Sequence, residues 1–272
     1  MFQTKEYNHV VTQMRDFFKQ KGFIEVPTQS RLSILAACED PKTISQFVFD
    51  GINYPLPQTG QMWLEYELLN NPGWEGVFCV STSYRNEPNP IEDRHQKIFP
   101  MFEFESRGNV EYLVEIEEQL LSYLGFGRND YRDYNEMCKE FDVQHLEAEH
   151  EEMMQEKYGK VIFLMDFPQR SHPFWNMKQS ENNDDLYEKV DVILHGQETI
   201  GSAERSCDPK QMRKNFLSIS DGQYANLLFK QFTEDRVMFE LEEYLSHGFF
   251  PRFGAGIGVN RMARAMKLEG VL

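Results

Sequence analysis

The chain reads as an α+β protein, an antiparallel β-sheet flanked by helices. Extended segments outnumber what a βαβ alternation would supply, turn-rich hairpin connections join many of them, and apolar positions recur at helical spacing in between. Val10, Val11, Met14, Phe17 and Phe18 mark a first helix over residues 4–20. It stops at Gly22, and Phe23 to Pro27 reads as a strand closed by proline. Gln46 to Pro57 has the pattern of a hairpin turning at Asp50-Gly51. A short helix is predicted over 62–70, then strands over 77–85 and 99–106. The polar loop 86–98 between them is kept irregular by Pro88 and Pro90. Helices follow over 110–124 and most of 134–158, then strands over 161–165 and 186–194. A long helix over 234–247, a last strand over 249–255 and a closing helix from Val259 complete the chain. No internal repeat or low-complexity linker interrupts it, so one domain over 1–272 is expected.

Composition narrows the class. With 22 Phe, 12 Tyr and an apolar share of 40%, the chain can bury a substantial core. No apolar run approaches the roughly 18 residues that span a bilayer. The N-terminus lacks the basic-then-apolar layout of a signal peptide, which predicts a cytoplasmic location and no membrane partner. Cys38, Cys79, Cys138 and Cys207 are far apart and form no CxxC pair, so buried reduced thiols are expected in place of a zinc site or disulfides. The formal charge of −16 opposes unspecific binding to polyanions. The run Glu147 to Glu152 reads as a solvated acidic helix face.

Two separated segments carry the chemistry. Arg85 ends a predicted strand with Glu87 two residues on, a spacing that puts both on one face of a sheet. A guanidinium fork there can neutralise an α-phosphate while the carboxylate holds an amine donor. Arg94 and His95 can reach outer phosphates, Phe99 can stack on adenine, and Glu103 and Glu105 share a face. Far downstream, Gly254-x-Gly256-x-Gly258 permits close approach of backbone and ligand, and Arg261 opens the following helix. Together they describe a site that holds a bent nucleoside triphosphate between two arginines. The glycine series is not a dinucleotide fingerprint, because no strand and acidic residue follow at the needed distance.

These segments resemble the three motifs of the class II aminoacyl-tRNA synthetases, in the aspartyl/asparaginyl/lysyl subgroup and closest to the asparaginyl type. The first helix with Gly22 to Pro27 resembles the first motif, which in that family builds a dimer interface and so implies a homodimer. Arg85 to Glu105 resembles the second and Gly254 to Arg261 the third. Ser171-His172-Pro173-Phe174-Trp175 is similar to the family's substrate-side stretch, which places His172 beside the amino acid. Asp191 to Glu198 is similar to the strand whose acids bind Mg²⁺ on ATP, implying Asp191 and Glu198 as metal ligands, a hard-oxygen pair suited to magnesium. The resemblance also implies the family's antiparallel catalytic sheet, Arg85 and Arg261 as catalytic residues, and Gly256 and Gly258 in the ATP site. Departures are Ile98, where the family has an acid, a longer loop after Arg85, and the acidic stretch 147–157.

The same resemblance implies an amino-acid pocket. Glu39, Thr59 and Gln61 match positions that hold the α-ammonium group, and Arg205 matches the arginine aimed at an Asp or Asn side chain. Lysyl enzymes carry an acid at that position, which disfavours lysine. Leu64 and Glu103, within and beyond Thr59-Gly60-Gln61-Met62-Trp63-Leu64-Glu65, match the asparaginyl pattern, and Glu103 can accept from an amide. No anticodon-binding OB domain is expected. The reading is a free-standing paralog that activates aspartate or asparagine as an adenylate, with an ammonia-dependent asparagine synthetase as its most concrete version. The alternatives are a minimal asparaginyl/aspartyl-tRNA ligase, a ligase loading a protein or carrier, and an inactive regulatory homologue. Both arginines and both metal acids being present speaks against the last.

Overall fold

The computed structural model describes residues 4–27, 32–37, 41–90 and 96–272. Glu39, Arg94, His95 and Cys38 lie outside the described residues. In chain order the elements are α1 (Thr4–Gln20), β1 (Ile24–Glu25), β2 (Gln46–Phe49), β3 (Ile52–Pro55), α2 (Gln61–Asn70), β4 (Gly76–Tyr84), β5 (Ile98–Arg107) and α3 (Val110–Tyr123). There follow β6 (Asp130–Asp133), α4 (Tyr134–Glu140), α5 (Ala148–Tyr158), β7 (Val161–Pro168), β8 (Leu186–Leu194) and β9 (Gln197–Arg205). The rest are α6 (Pro209–Ser218), α7 (Gln223–Phe232), α8 (Glu234–Leu245), β10 (Arg252–Gly258) and α9 (Val259–Glu269).

Eight strands form one sheet in the order β1-β4-β5-β10-β9-β8-β7-β6, and β2 and β3 make a separate hairpin. The six inner strands are antiparallel, as the hairpin-rich sequence implies. Both edges are parallel additions, β1 on β4 and β6 on β7, so the sheet is mixed. Two tight turns have the left-handed pairs that two-residue hairpins need: Asp50 (φ 51°) with Gly51 (φ 75°), and His195 (φ 47°) with Gly196 (φ 70°).

Period-2 alternation divides the sheet into two faces. Phe102 and Phe104 of β5, Phe253, Ala255 and Ile257 of β10, and Ile200 of β9 pack in one core with α1, α3 and α9. Phe18 of α1 lies 4.6 Å from Phe104 and 5.2 Å from Phe102 between ring centroids. The residues between them, Glu103 and Glu105 on β5 and Gly254, Gly256 and Gly258 on β10, point to the opposite face. There a second core around Trp175, Phe216, Tyr224 and Tyr244 joins parts of α2, α6, α7 and α8. A smaller cluster seats α4 and α5 on β7 through Tyr134, Met137, Met154 and Ile162.

Several boundaries differ from the sequence reading. The last strand runs over Arg252–Gly258, not 249–255. Pro251 has no N–H for the ladder, while the Phe249 ring packs at a tilt against Tyr244 (5.4 Å) and Phe250 faces Arg107 (4.4 Å). β4 stops at Tyr84, so Arg85 and Glu87 stand just past a strand and share a cleft through the loop, not through strand alternation. Cys79 and Cys138 are buried, whereas Cys207 is exposed, against expectation, because it follows β9 into the Asp208 cap of α6. The acidic run is solvated only in part: His150 is buried, its Nδ1 accepting from Glu147 N at 2.8 Å.

α3 also buries Glu117 completely, and among the described residues neither carboxylate oxygen has a hydrogen-bond partner of good geometry. The neighbouring Ser202 hydroxyl donates to the Val190 carbonyl at 3.0 Å. Burial pushes the Glu117 carboxyl up to about 8 from 4.5; the nearby Ser202 hydroxyl offsets part of the rise and the Asp191 charge adds a little. The folded state therefore keeps a proton that the unfolded state releases, so this group costs stability progressively as pH rises from 4.5 to about 8. Glu117→Gln is expected to reduce that pH slope by up to about 1.4 kcal/mol per pH unit. Denaturant unfolding of both proteins between pH 5 and 8 checks it, and an identical slope would refute it.

Candidate active site

The cleft floor follows from strand register. Asp191, Gly201, Gly256 and Glu103 stand in one row across β8, β9, β10 and β5. Lys189, Ala203, Gly254 and Glu105 make the next row, and Arg205 beside Arg252 begins a third. Charged side chains thus rise on both flanks while glycines keep the middle low, opening a cleft of about 780 Å³. That is within the size range of sites that enclose a small organic ligand.

All but Leu64, Glu105 and Gly254 of the described residues singled out from the sequence line this one cleft: Thr59, Gln61, Arg85, Glu87, Phe99, Glu103, His172, Asp191, Glu198, Arg205, Gly256, Gly258 and Arg261. At one end the Arg85 guanidinium stands 5.5 Å over the Phe99 ring. Arg261, on the first turn of α9, donates from Nη1 to the Glu198 carbonyl at 2.8 Å and lies 3.7 Å from the Glu198 carboxylate. Arg264, one turn on, also lines the cleft and donates to the His195 carbonyl at 3.1 Å. Three cations therefore face the same space.

Asp191 and Glu198 fit a magnesium ion. The Lys189 ammonium holds one Asp191 oxygen at 2.5 Å, while the other, Oδ1, is buried without a hydrogen-bond partner among the described residues. A Cβ on Gly201 would come 3.3 Å from Glu198 Oε1 and 3.6 Å from Asp191 Oδ1, so both acids converge over a glycine. Burial pushes Asp191 up to about 7; Lys189 offsets this in part and Glu198 adds to it. Among the described residues no group of three or more His, Cys, Asp or Glu side chains could hold a metal alone. Two acids completed by phosphate oxygens and water are the usual magnesium set. α5 adds an unforeseen support, because the Glu151 carboxylate accepts from the Glu198 backbone N–H at 2.6 Å.

The other end holds Thr59, Gln61, Glu103 and Arg205, which the sequence resemblance assigned to an amino-acid pocket. Glu103 receives the Thr59 hydroxyl, the Ser81 hydroxyl at 2.5 Å and the Gly60 N–H at 2.8 Å. A substrate amide reaching it would share those oxygens. Arg205 is 3% exposed and bonds Glu105 through Nη2 at 2.5 Å and Nε at 3.2 Å; its Nη1 makes no hydrogen bond among the described residues. Burial pushes Glu105 up to about 7 against the pull of Arg205, and the Glu65 charge adds to the rise. Glu65 and Arg252 are the residues that sequence reasoning did not assign to the site. One signal was available for Glu65: it sits four residues after Gln61 on α2, hence on the same helix face, and accepts from Gln61 Nε2 at 3.0 Å.

Cationic anchors and an acid pair at one end of a cleft, with a buried arginine–carboxylate pocket at the other, thus stand on an antiparallel sheet. The sequence profile of the family described as tRNA synthetases class II (D, K and N) matches residues 3–269, and the chain belongs to that family. Curated relatives include the lysine–tRNA ligases of Campylobacter jejuni subsp. doylei (22% identical, covering 93% of this chain and 58% of the relative) and Aquifex aeolicus (22%, 93% and 49%). The chain thus spans about half to three-fifths of those relatives. Among solved structures, the asparaginyl-tRNA synthetase of Pyrococcus horikoshii complexed with asparaginyl-adenylate superposes with a TM-score of 0.79 at 20% identity, covering 98% of this chain and 65% of that one. The Entamoeba histolytica asparaginyl-tRNA synthetase complexed with asparaginyl-adenylate gives 0.75 at 17%, covering 96% and 63%.

Proposed function

We propose that the protein activates an amino acid of the aspartate/asparagine class with ATP, forming an aminoacyl adenylate and pyrophosphate. The observation that carries this is the convergence of Arg85, Arg261, Asp191, Glu198 and Arg205 on one cleft. An amino-acid carboxylate oxygen attacks the α-phosphorus, and the bond from that phosphorus to the bridging oxygen breaks. Pyrophosphate takes the leaving electron pair. Arg85 neutralises the α-phosphate, Arg261 holds the outer phosphates, and Phe99 flanks the adenine. Asp191 and Glu198 would hold Mg²⁺, which supplies further neutralisation of phosphate charge when bound. Thr59 and Gln61 orient the α-ammonium group, and Arg205 reads the side chain. Catalysis on this reading is positioning and charge neutralisation in a site organised before the substrate arrives.

Arg205 supports aspartate or asparagine over lysine, because a buried guanidinium meets an oxygen acceptor more favourably than an ammonium. The charge of −16 supports a small acyl acceptor over a polyanion, hence ammonia with aspartate before tRNA. That product requires aspartate to present its β-carboxylate to the α-phosphorus, leaving the α-carboxylate to Arg205, because ammonia on an α-carboxyl adenylate would give isoasparagine. Assembly as a homodimer through α1 and β1 belongs to the same reading. The test is amino-acid-dependent exchange of pyrophosphate into ATP across all amino acids. Aspartate or asparagine alone should support it, and exchange with neither would end the proposal. Asparagine and AMP appearing from aspartate, ATP and ammonia would establish the acceptor; acylation of total tRNA in their place would replace it.

A further inference from the structure

Behind Arg205, away from the cleft, stands a second guanidinium that the reaction does not touch. Arg252 is directly across the strand pair from Arg205, on β10, and is fully buried. Two adjacent buried cations repel unless carboxylates separate them. Glu65 of α2 does this: it takes Arg252 Nη2 at 2.8 Å and Nε at 3.0 Å, yet lies 3.9 Å from Arg205 Nε. The same carboxylate accepts from Gln61, which lines the cleft, and from the Tyr244 hydroxyl at 2.5 Å. Arg205 is consequently left to Glu105. With Glu105 ionised, as its contact with Arg205 favours, the four charges sum to zero.

We propose that Arg252 is a specificity-determining positioning residue: by binding Glu65 it removes a carboxylate that would compete for Arg205, and so sets the net charge the pocket presents to the amino-acid side chain. This rests on the activation reading above. Removing Arg252 alone leaves the cluster one unit negative and penalises a side-chain carboxylate more than an amide. Removing only the Glu65 charge leaves it one unit positive and does the reverse. Removing both restores neutrality.

The experiment compares wild type, Arg252→Met, Arg252→Lys, Glu65→Gln and the Arg252→Met/Glu65→Gln double variant in pyrophosphate exchange. It takes KM for whichever of aspartate and asparagine is turned over and the inhibition constant for the other. Arg252→Met is expected to weaken aspartate relative to asparagine about ten-fold, a shift of about one pKa unit's worth of interaction. Glu65→Gln is expected to shift the ratio the opposite way, while Arg252→Lys and the double variant return it towards wild type. If Arg252→Met does not fold, Glu65→Gln and the double variant still carry the sign test. Equal loss for both ligands, or a shift of one sign in all variants, would make Arg252 purely structural and overturn the inference. Wild type silent with every amino acid would instead overturn the activation reading, and the inference with it.

Discussion

Arg261→Ala is expected to lower amino-acid-dependent pyrophosphate exchange by about 10²–10³-fold or more, the loss typical of deleting one preorganised charge-stabilising group. Thermal stability should change little. The side chain is 29% exposed, and its ties to protein are one donation to the Glu198 carbonyl and a 3.7 Å approach to the Glu198 carboxylate. Arg261→Lys should recover only part of the rate, since an ammonium keeps the charge but loses the planar fork. Arg85→Ala should behave alike at the opposite end of the triphosphate. Steady-state exchange with melting curves on the same preparations checks both. Exchange retained within a few-fold of wild type, in either variant, would show that the pair does not flank ATP.

Gly254→Ala is the largest stability effect expected in the chain. A Cβ there would overlap the carboxylate of Glu105, the residue directly opposite Gly254 on the adjacent strand. Glu105 is fully buried and bonded to Arg205, so it cannot swing into solvent. Accommodating the methyl group means breaking or straining a buried ion pair, which costs about 3–5 kcal/mol when one partner is lost. Denaturant unfolding should report that loss, and affinity for the amino acid should fall with it. Gly258→Ala is the control from the same strand: its nearest contact would be 3.4 Å from the Arg261 side chain, so stability should hold. A Gly254→Ala protein as stable as wild type would mean that the Glu105–Arg205 pair is loose.

How much of this was legible beforehand depends on whether a residue's partner is near it in sequence. α1, the Asp50-Gly51 hairpin and α3 follow from local periodicity and turn chemistry, and they form where the sequence places them. Arg85, the alternating glycines and Arg261 were recognisable because each motif is contiguous. β9 was not recognised as a strand, since Gly201, Ser202, Ala203 and Glu204 are weak strand formers. Pairing on both sides with β8 and β10 imposes the conformation. α6 was missed although Asp208-Pro209 is a helix-start signal, with Asp208 accepting from Lys210 N at 2.8 Å. Glu151 could not be found from its acidic run, because its partner is a backbone N–H on another element.

By itself, then, the amino-acid order determined the alternation that sends phenylalanines to one side of the sheet and acids and glycines to the other, together with the two arginine-bearing motifs that reach the cleft. Only the tertiary structure decided which charges neutralise which. Glu65 meets Arg252 across 187 positions and Arg205 meets Glu105 across 100, distances at which no spacing rule operates. Strand register set the guanidinium groups side by side, and the cost of an unpaired buried charge selected the carboxylates that separate them.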